Sequence, residues 1–189
     1  MIRIGIVGDI GSGKSYVAKQ FGYPVFNADV EVTKLYKTNK KCFIRLKKLL
    51  PKYIISFPIK KIELFKAIII DQSNLKKITK VIHPEVRIKM NKFLIKNRNK
   101  KIVVLDIPLL LENKINKKND VLIFVDAKKS QIYKRLRRRK NFNLKLFKKF
   151  KKIQLPIEYK KKKSQFILKN NFTKKFLKKG VKIILKEIL

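Results

Sequence analysis

The chain has 189 residues, 51 of them Lys or Arg against 12 Asp or Glu, a net charge of +39. One cysteine excludes an internal disulfide and suits a reducing cytosol, and no apolar run approaches the roughly 18 residues of a membrane span. The length fits one domain with inserted parts, and 45% hydrophobic residues suffice for a core.

In chain order, IRIGIV (2–7) predicts a buried strand, so no signal peptide is expected at residues 1–7. It leads into GDIGSGKS, where Gly8, Gly11 and Gly13 concentrate half of the chain's six glycines. The spacing G-x-x-x-x-G-K-S wraps a phosphate in backbone N–H groups, with Lys14 reaching the terminal phosphates and Ser15 offering a hydroxyl to Mg²⁺. A helix follows near 14–21. Residues 23–30 read as a second strand ending near Asp29. Residues 31–53 read as mostly helical, stopped by Pro51. A helix runs from about Ile59 with a break near DQSN, and another opens at His83 with Pro84 in its first turn.

The segments 101–112 and 119–127 begin as continuous apolar runs, as expected of strands buried on both faces. Residues 129–154 read as basic and helical with a break around Asn141–Asn143. A short strand falls at 164–170 and an amphipathic helix closes the chain from 172. Strands alternating with helices predict a parallel α/β sheet with its ligand at the carboxyl ends of the strands.

Several side chains stand out, each with two readings. Asp106 ends the third strand, where a carboxylate can hold a Mg²⁺ water shell or cap the next turn. Asp29 can orient and deprotonate an attacking hydroxyl, or act as N-cap of a helix starting near Glu31. His83, the single histidine, is structural or catalytic. Arg135, Arg138 and Arg139 share a helical face that suits bidentate phosphate contacts or a solvated basic surface. The excess of lysine is spread along the chain. It reads as the Lys-, Ile- and Asn-rich profile of an AT-rich genome plus general affinity for phosphates, with no specific nucleic acid as partner.

Together these motifs resemble the dephospho-CoA kinase family over the whole length. The loop matches from Val7 through Gly8, Asp9, Ile10, Gly11, Ser12, Gly13 and Lys14 to Ser15. The family's D-A-D reads Asn27, Ala28, Asp29, and its H-P reads His83, Pro84. Its V-P-L-L-x-E becomes Ile107, Pro108, Leu109, Leu110, Leu111 and Glu112, preceded by Asp106. Its lid R-x-x-x-R is Arg135 and Arg139, followed by Gln154 and Lys160, and its A-D-x-x-I-x-N runs from Ser164 to Asn170. Asp9, Asn27, Phe150 and Gln165 depart from the pattern.

The resemblance implies a P-loop, NMP-kinase-like core of five parallel strands flanked by helices, with a helical substrate region at about 30–100 and a lid at about 135–162. It implies ATP and dephospho-CoA as substrates and Mg²⁺ as cofactor, in a cytoplasmic enzyme expected to be monomeric and without a membrane partner; the alternatives are another nucleoside or nucleotide kinase of the same fold and a basic, nucleic-acid-binding P-loop protein. Asp29, Lys14 and Arg139 would be catalytic. Residues 8–15, Tyr16, Arg135 and Arg139 would bind ATP. Asp29, His83, Pro108, Leu109 and Glu112 would bind the acceptor, and Ser15 and Asp106 the metal.

Overall fold

A computed structural model describes residues 1–139 and 142–189. The expected break at Asn141–Asn143 therefore lies partly outside the described residues. In chain order the elements are β1 (Ile2–Gly8), α1 (Lys14–Gln20), β2 (Val25–Asn27), α2 (Ala28–Thr38), α3 (Lys40–Leu49), α4 (Lys61–Ile70) and α5 (Ser73–Lys96). They continue with β3 (Ile102–Asp106), β4 (Val121–Asp126), α6 (Lys129–Arg137), α7 (Leu144–Lys152), α8 (Ile157–Lys163), β5 (Phe166–Lys169) and α9 (Lys174–Ile188). They form two compact units: residues 1–27, 97–142 and 153–189, and residues 28–96 with 143–152.

The first unit is built on a five-stranded sheet in the order β2-β3-β1-β4-β5, parallel at every pairing. Ile102, Val103, Val104 and Leu105 are all fully buried, which is why β3 reads as an unbroken apolar run rather than an alternating one. On one face, Val17 and Ala18 of α1, its cap residue Phe21, and Leu177, Val181 and Ile184 of α9 pack against Ile4, Ile6, Val104 and Ile123. The chain leaves β1 toward one side of the sheet and later returns to the other, so β1 stands at the topological switch point. In such sheets the ligand crevice opens there, at the carboxyl ends. The register pairs Asn27 with Asp106 at that edge.

Arg3 points away from this apolar layer. Its Nη2 donates to Asp120 Oδ2 at 2.9 Å, and the same oxygen accepts from the Lys117 N–H at 2.9 Å. Both side chains are almost fully buried, so the pair ties β1 to the entry of β4.

The second unit is helical. Leu35, Cys42, Leu46, Ile54, Leu64, Ala67, Ile78 and Val81 form its core. The stretch read as one helix from residue 31 is two. Asn39 breaks it and caps α3 by accepting from the Cys42 N–H at 2.9 Å. The DQSN break is present, with Asp71 Oδ1 accepting from the Ser73 N–H at 2.8 Å. α7 joins this unit, because Leu146 and Phe150 pack in its core and Lys149 Nζ donates to the carbonyls of Ile68 and Ile69 at 2.9 and 3.0 Å. That ammonium satisfies carbonyls which the end of α4 leaves open.

Three boundaries differ from the sequence expectation. β2 ends at Asn27 and α2 begins at Ala28, so Asp29 sits in the first turn of a helix, not at a strand end. Pro84 lies inside α5 instead of opening a helix. Ile78, Val81, Ile82 and Met90 bury one side of α5 on both sides of the proline, and that packing carries the helix through the missing N–H. α8, IEYKKKK, has no apolar stripe from which to expect it.

Asp120→Ala should lower unfolding stability by about 3–5 kcal/mol, because it strands a buried guanidinium. Urea titration measures this. Arg3→Met combined with Asp120→Asn should lose much less, since no buried charge then remains; an equal loss would assign the effect to packing instead.

Candidate active site

Between β1 and α1 the loop is shaped by its own backbone. Gly13 caps α1 with φ 93°, and a Cβ there would lie 2.5 Å from Asn170 Nδ2, so both conformation and space demand glycine. The Ile10 N–H donates to Asp9 Oδ1 at 2.7 Å and the Ser12 N–H to the Asp9 carbonyl at 3.2 Å. Asp9, the departure from the family pattern, thus closes the turn of the loop. Lys14 Nζ donates to the carbonyls of Gly8 at 3.2 Å and Asp9 at 2.7 Å, which holds the ammonium against the loop it follows. Tyr16, one position after Ser15, is exposed.

Asp106 closes β3 and is 2% exposed. The Ser15 hydroxyl and Asn27 Nδ2 both donate to its carboxylate. Burial pushes this carboxyl up from the usual carboxylate range. Ser15, Lys14, Asn27 and Lys19 pull it down by less. Asn27 is the better neighbour for this reason: an aspartate there would set a second carboxylate against a buried first one, whereas the amide supplies a donor.

After β3, Pro108 and Leu109 are half-buried in a turn. Glu112 of the same turn has its carboxylate engaged. Its Oε1 lies 2.7 Å from Lys160 Nζ and accepts from the Leu155 N–H at 3.1 Å, while Lys160 also donates to Gln154 Oε1 at 3.2 Å. This ion pair is buried on both sides and joins the β3 turn to α8. Gln165, where the family has an acid, accepts from the Leu122 N–H at 2.7 Å and aligns β5 with β4.

Arg135 is exposed on α6, and its guanidinium stands over the Phe172 ring. The helix ends at Arg137 with Arg138 as its cap, so Arg139 lies just beyond it and not on a continued helical face. The Arg139 N–H donates to the Leu136 carbonyl at 3.0 Å.

In the helical unit, Asp29 is exposed, and its carbonyl accepts from Thr33 Oγ1 at 2.8 Å. It is not the N-cap the alternative reading required, because α2 already starts at Ala28. His83 is half-buried within α5. Burial first, then the Arg87 charge one turn on, holds its pKa below the ordinary histidine value and favours the neutral ring.

Sequence reasoning gave no role to Asn170. Its Nδ2 donates to the Ser12 carbonyl at 2.7 Å and its Oδ1 accepts from the Phe172 N–H at 2.7 Å, so it clamps the phosphate loop from β5. Its sequence signals are an amide at the carboxyl end of a strand and its place as the last residue of the family's A-D-x-x-I-x-N, neither of which says what it holds.

The family model for dephospho-CoA kinase matches residues 2–175. The chain belongs to that family. A dephospho-CoA kinase of Wolbachia pipientis is 33% identical over 186 residues, covering 96% of this chain and 95% of the relative. One from Bartonella quintana is 36% identical over 170 residues, covering 87% of each. A crystal structure from Thermus thermophilus is 30% identical with a TM-score of 0.80, covering 100% of this chain and 98% of the other. The dephospho-CoA kinase of Campylobacter jejuni, 22% identical, has a TM-score of 0.66 and covers 98% and 96%, a likeness of fold. The five-stranded parallel sheet is thus that of P-loop kinases, and membership of a kinase family makes ATP the phosphoryl donor. Among the described residues no helix is long and apolar enough to cross a membrane.

For a dephospho-CoA kinase of this geometry, Asp106→Asn should raise the thermal midpoint of the ligand-free protein at neutral pH. A carboxyl whose pKa is raised by the fold costs stability once it is ionised, and the amide carries no such cost. The advantage should vanish as pH falls below the ordinary carboxylate value, where the side chain is neutral folded or unfolded. Calorimetric scans from about pH 2.5 to 8 check this, spanning the ordinary aspartate value, and a lower midpoint for Asp106→Asn at neutral pH would contradict it.

Proposed function

We propose that this chain transfers the γ-phosphoryl group of ATP to the ribose 3′-hydroxyl of dephospho-CoA. What carries the reading is the family match across residues 2–175 in a chain whose phosphate loop, Ser15, Asp106 and Asn27 form one hydrogen-bonded cluster at the ends of β1, β2 and β3. The bond from the γ-phosphorus to its bridging oxygen breaks as the 3′-oxygen bonds to that phosphorus, and the hydroxyl proton leaves to a base. Such transfers need positioning and charge stabilisation more than covalent chemistry.

The backbone amides of the loop cradle the phosphates, those of Ile10 and Ser12 exchanging Asp9 for phosphate oxygens, with Tyr16 flanking them. Lys14 neutralises charge on the transferring group. Arg135 and Arg139 contribute further positive charge from a lid at about 135–162. Asp29 orients the ribose hydroxyl and takes its proton. Residues from about 30 to 100, His83 among them, together with Pro108 and Leu109, receive the acceptor. Glu112 acts there through the turn that it ties to Lys160. A monomer in the cytoplasm fits this reading.

The donor set suits Mg²⁺. A hydroxyl and a carboxylate, Ser15 and Asp106, are hydrogen-bonded to each other, and Mg²⁺ takes hard oxygen ligands, one or two from protein and the rest from phosphates and water. Held by these two residues, Mg²⁺ would supply charge neutralisation at the β- and γ-phosphates.

The test is turnover with ATP and Mg²⁺ against dephospho-CoA, AMP and nucleosides as acceptors. Phosphorylation of dephospho-CoA alone is expected, with phosphorus NMR locating the new monoester on the 3′-oxygen. Equal use of AMP would sink the assignment. Asp29→Asn should then lower kcat by about 10²–10⁴-fold, the usual size of general-base catalysis, with the KM for ATP within about twofold. Turnover near the wild-type rate would mean that no proton passes to Asp29.

A further inference from the structure

Phe172 has a φ of 64°, in the left-handed region that favours glycine and that a bulky side chain rarely adopts. An aromatic residue on such a backbone needs a reason, and its surroundings supply one. Asn170 fixes its position, accepting from the Phe172 N–H while donating to the Ser12 carbonyl of the phosphate loop, both at 2.7 Å. The ring reaches the loop as well, with Cε1 3.4 Å from where a Cβ on Gly13 would stand. The guanidinium carbon of Arg135 lies 4.4 Å from the ring centroid, within cation–π range.

Arg135 is exposed, on a helix whose Ile132 and Leu136 lie against Gly11. A long exposed side chain samples many rotamers, and a ligand that orders it loses affinity to that entropy. An aromatic shelf removes much of the freedom before the ligand arrives.

We propose that Phe172 is a positioning residue, whose ring holds the Arg135 guanidinium beside the phosphate loop in readiness for the triphosphate of ATP. The inference rests on the reading of Arg135 as a nucleotide contact. It makes the left-handed backbone at Phe172 functional: glycine would suit the turn, but only an aromatic ring can carry the arginine. If the ring merely filled space, an aliphatic side chain would serve.

Equilibrium binding of ATP, by titration calorimetry without any acceptor, tests it. Phe172→Leu keeps the bulk and loses the π face. Phe172→Gly suits the backbone, and its thermal midpoint verifies folding. Phe172→Tyr keeps the ring. The Leu and Gly variants should bind ATP about three- to tenfold more weakly, the size of one cation–π contact, while Tyr stays within about twofold of wild type. In an Arg135→Ala background, Phe172→Leu should change affinity by less than about 1.5-fold, because the ring then has nothing to hold. Wild-type affinity in Phe172→Leu overturns the proposal, as do effects of Phe172→Leu and Arg135→Ala that multiply in full. Turnover of dephospho-CoA by the wild type is measured alongside. ATP binding without turnover would sink the proposed reaction and leave the shelf to be judged on the affinities; a wild type that fails to bind ATP overturns both.

Discussion

A carboxylate taken out of water must be given donors, and at Asp106 that need organises the nucleotide end of the sheet. The β2–β3 register sets Asn27 opposite Asp106, and the first turn of α1 brings the Ser15 hydroxyl to the same group. Lys14, one residue earlier, is bent onto the loop's own carbonyls. Strand register, helix start and loop curvature are therefore interdependent. A one-residue slip of β2 would replace the amide opposite Asp106 with an apolar side chain or a helix turn. Asn170 secures the loop from the opposite side of the sheet at the Ser12 carbonyl.

The charge imbalance has a structural counterpart. With 12 acidic residues against 51 basic ones, acids are scarce, and several occupy anchoring positions. Asp120 holds Arg3, Glu112 holds Lys160, and Glu63 accepts from the Ile55 N–H and the Ser56 hydroxyl. Pairs with an exposed partner, such as half-buried Glu31 with exposed Lys34, contribute little, being screened by salt and costly in side-chain entropy. Most lysines remain in water, where their mutual repulsion works against the compact state and weakens as ionic strength rises.

Much of this was legible in the sequence because backbone chemistry is local. The loop announces itself through Gly8, Gly11 and Gly13. The central strands do so through apolar runs that only burial on both faces allows. What stayed hidden depends on partners distant along the chain. Nothing near Lys160 tells that it is 2% exposed, since its burial requires Glu112, 48 positions earlier. α8 was unreadable for the same reason. The sequence carries β2 two residues too far, to Asp29, because Asn27, Ala28 and Asp29 end a strand and open a helix with no turn between them. Pro84 reads locally as a helix start, and only packing along both halves of α5 overrules that. A left-handed phenylalanine has no sequence signature at all.

The helical unit takes its last helix from residues 143–152, long after the chain has left it at Lys96. This has a consequence during synthesis on the ribosome. A nascent chain halted before residue 143 has an open patch where Leu146 and Phe150 belong, and the carbonyls of Ile68 and Ile69 lack the Lys149 ammonium. Ten residues later that unit can close, yet the sheet still lacks β5 and the apolar side of α9. Folding therefore cannot proceed strictly from the amino terminus. A messenger truncated before the codons for Leu177, Val181 and Ile184 would yield a chain with exposed core, a substrate for chaperones and proteases rather than a smaller enzyme.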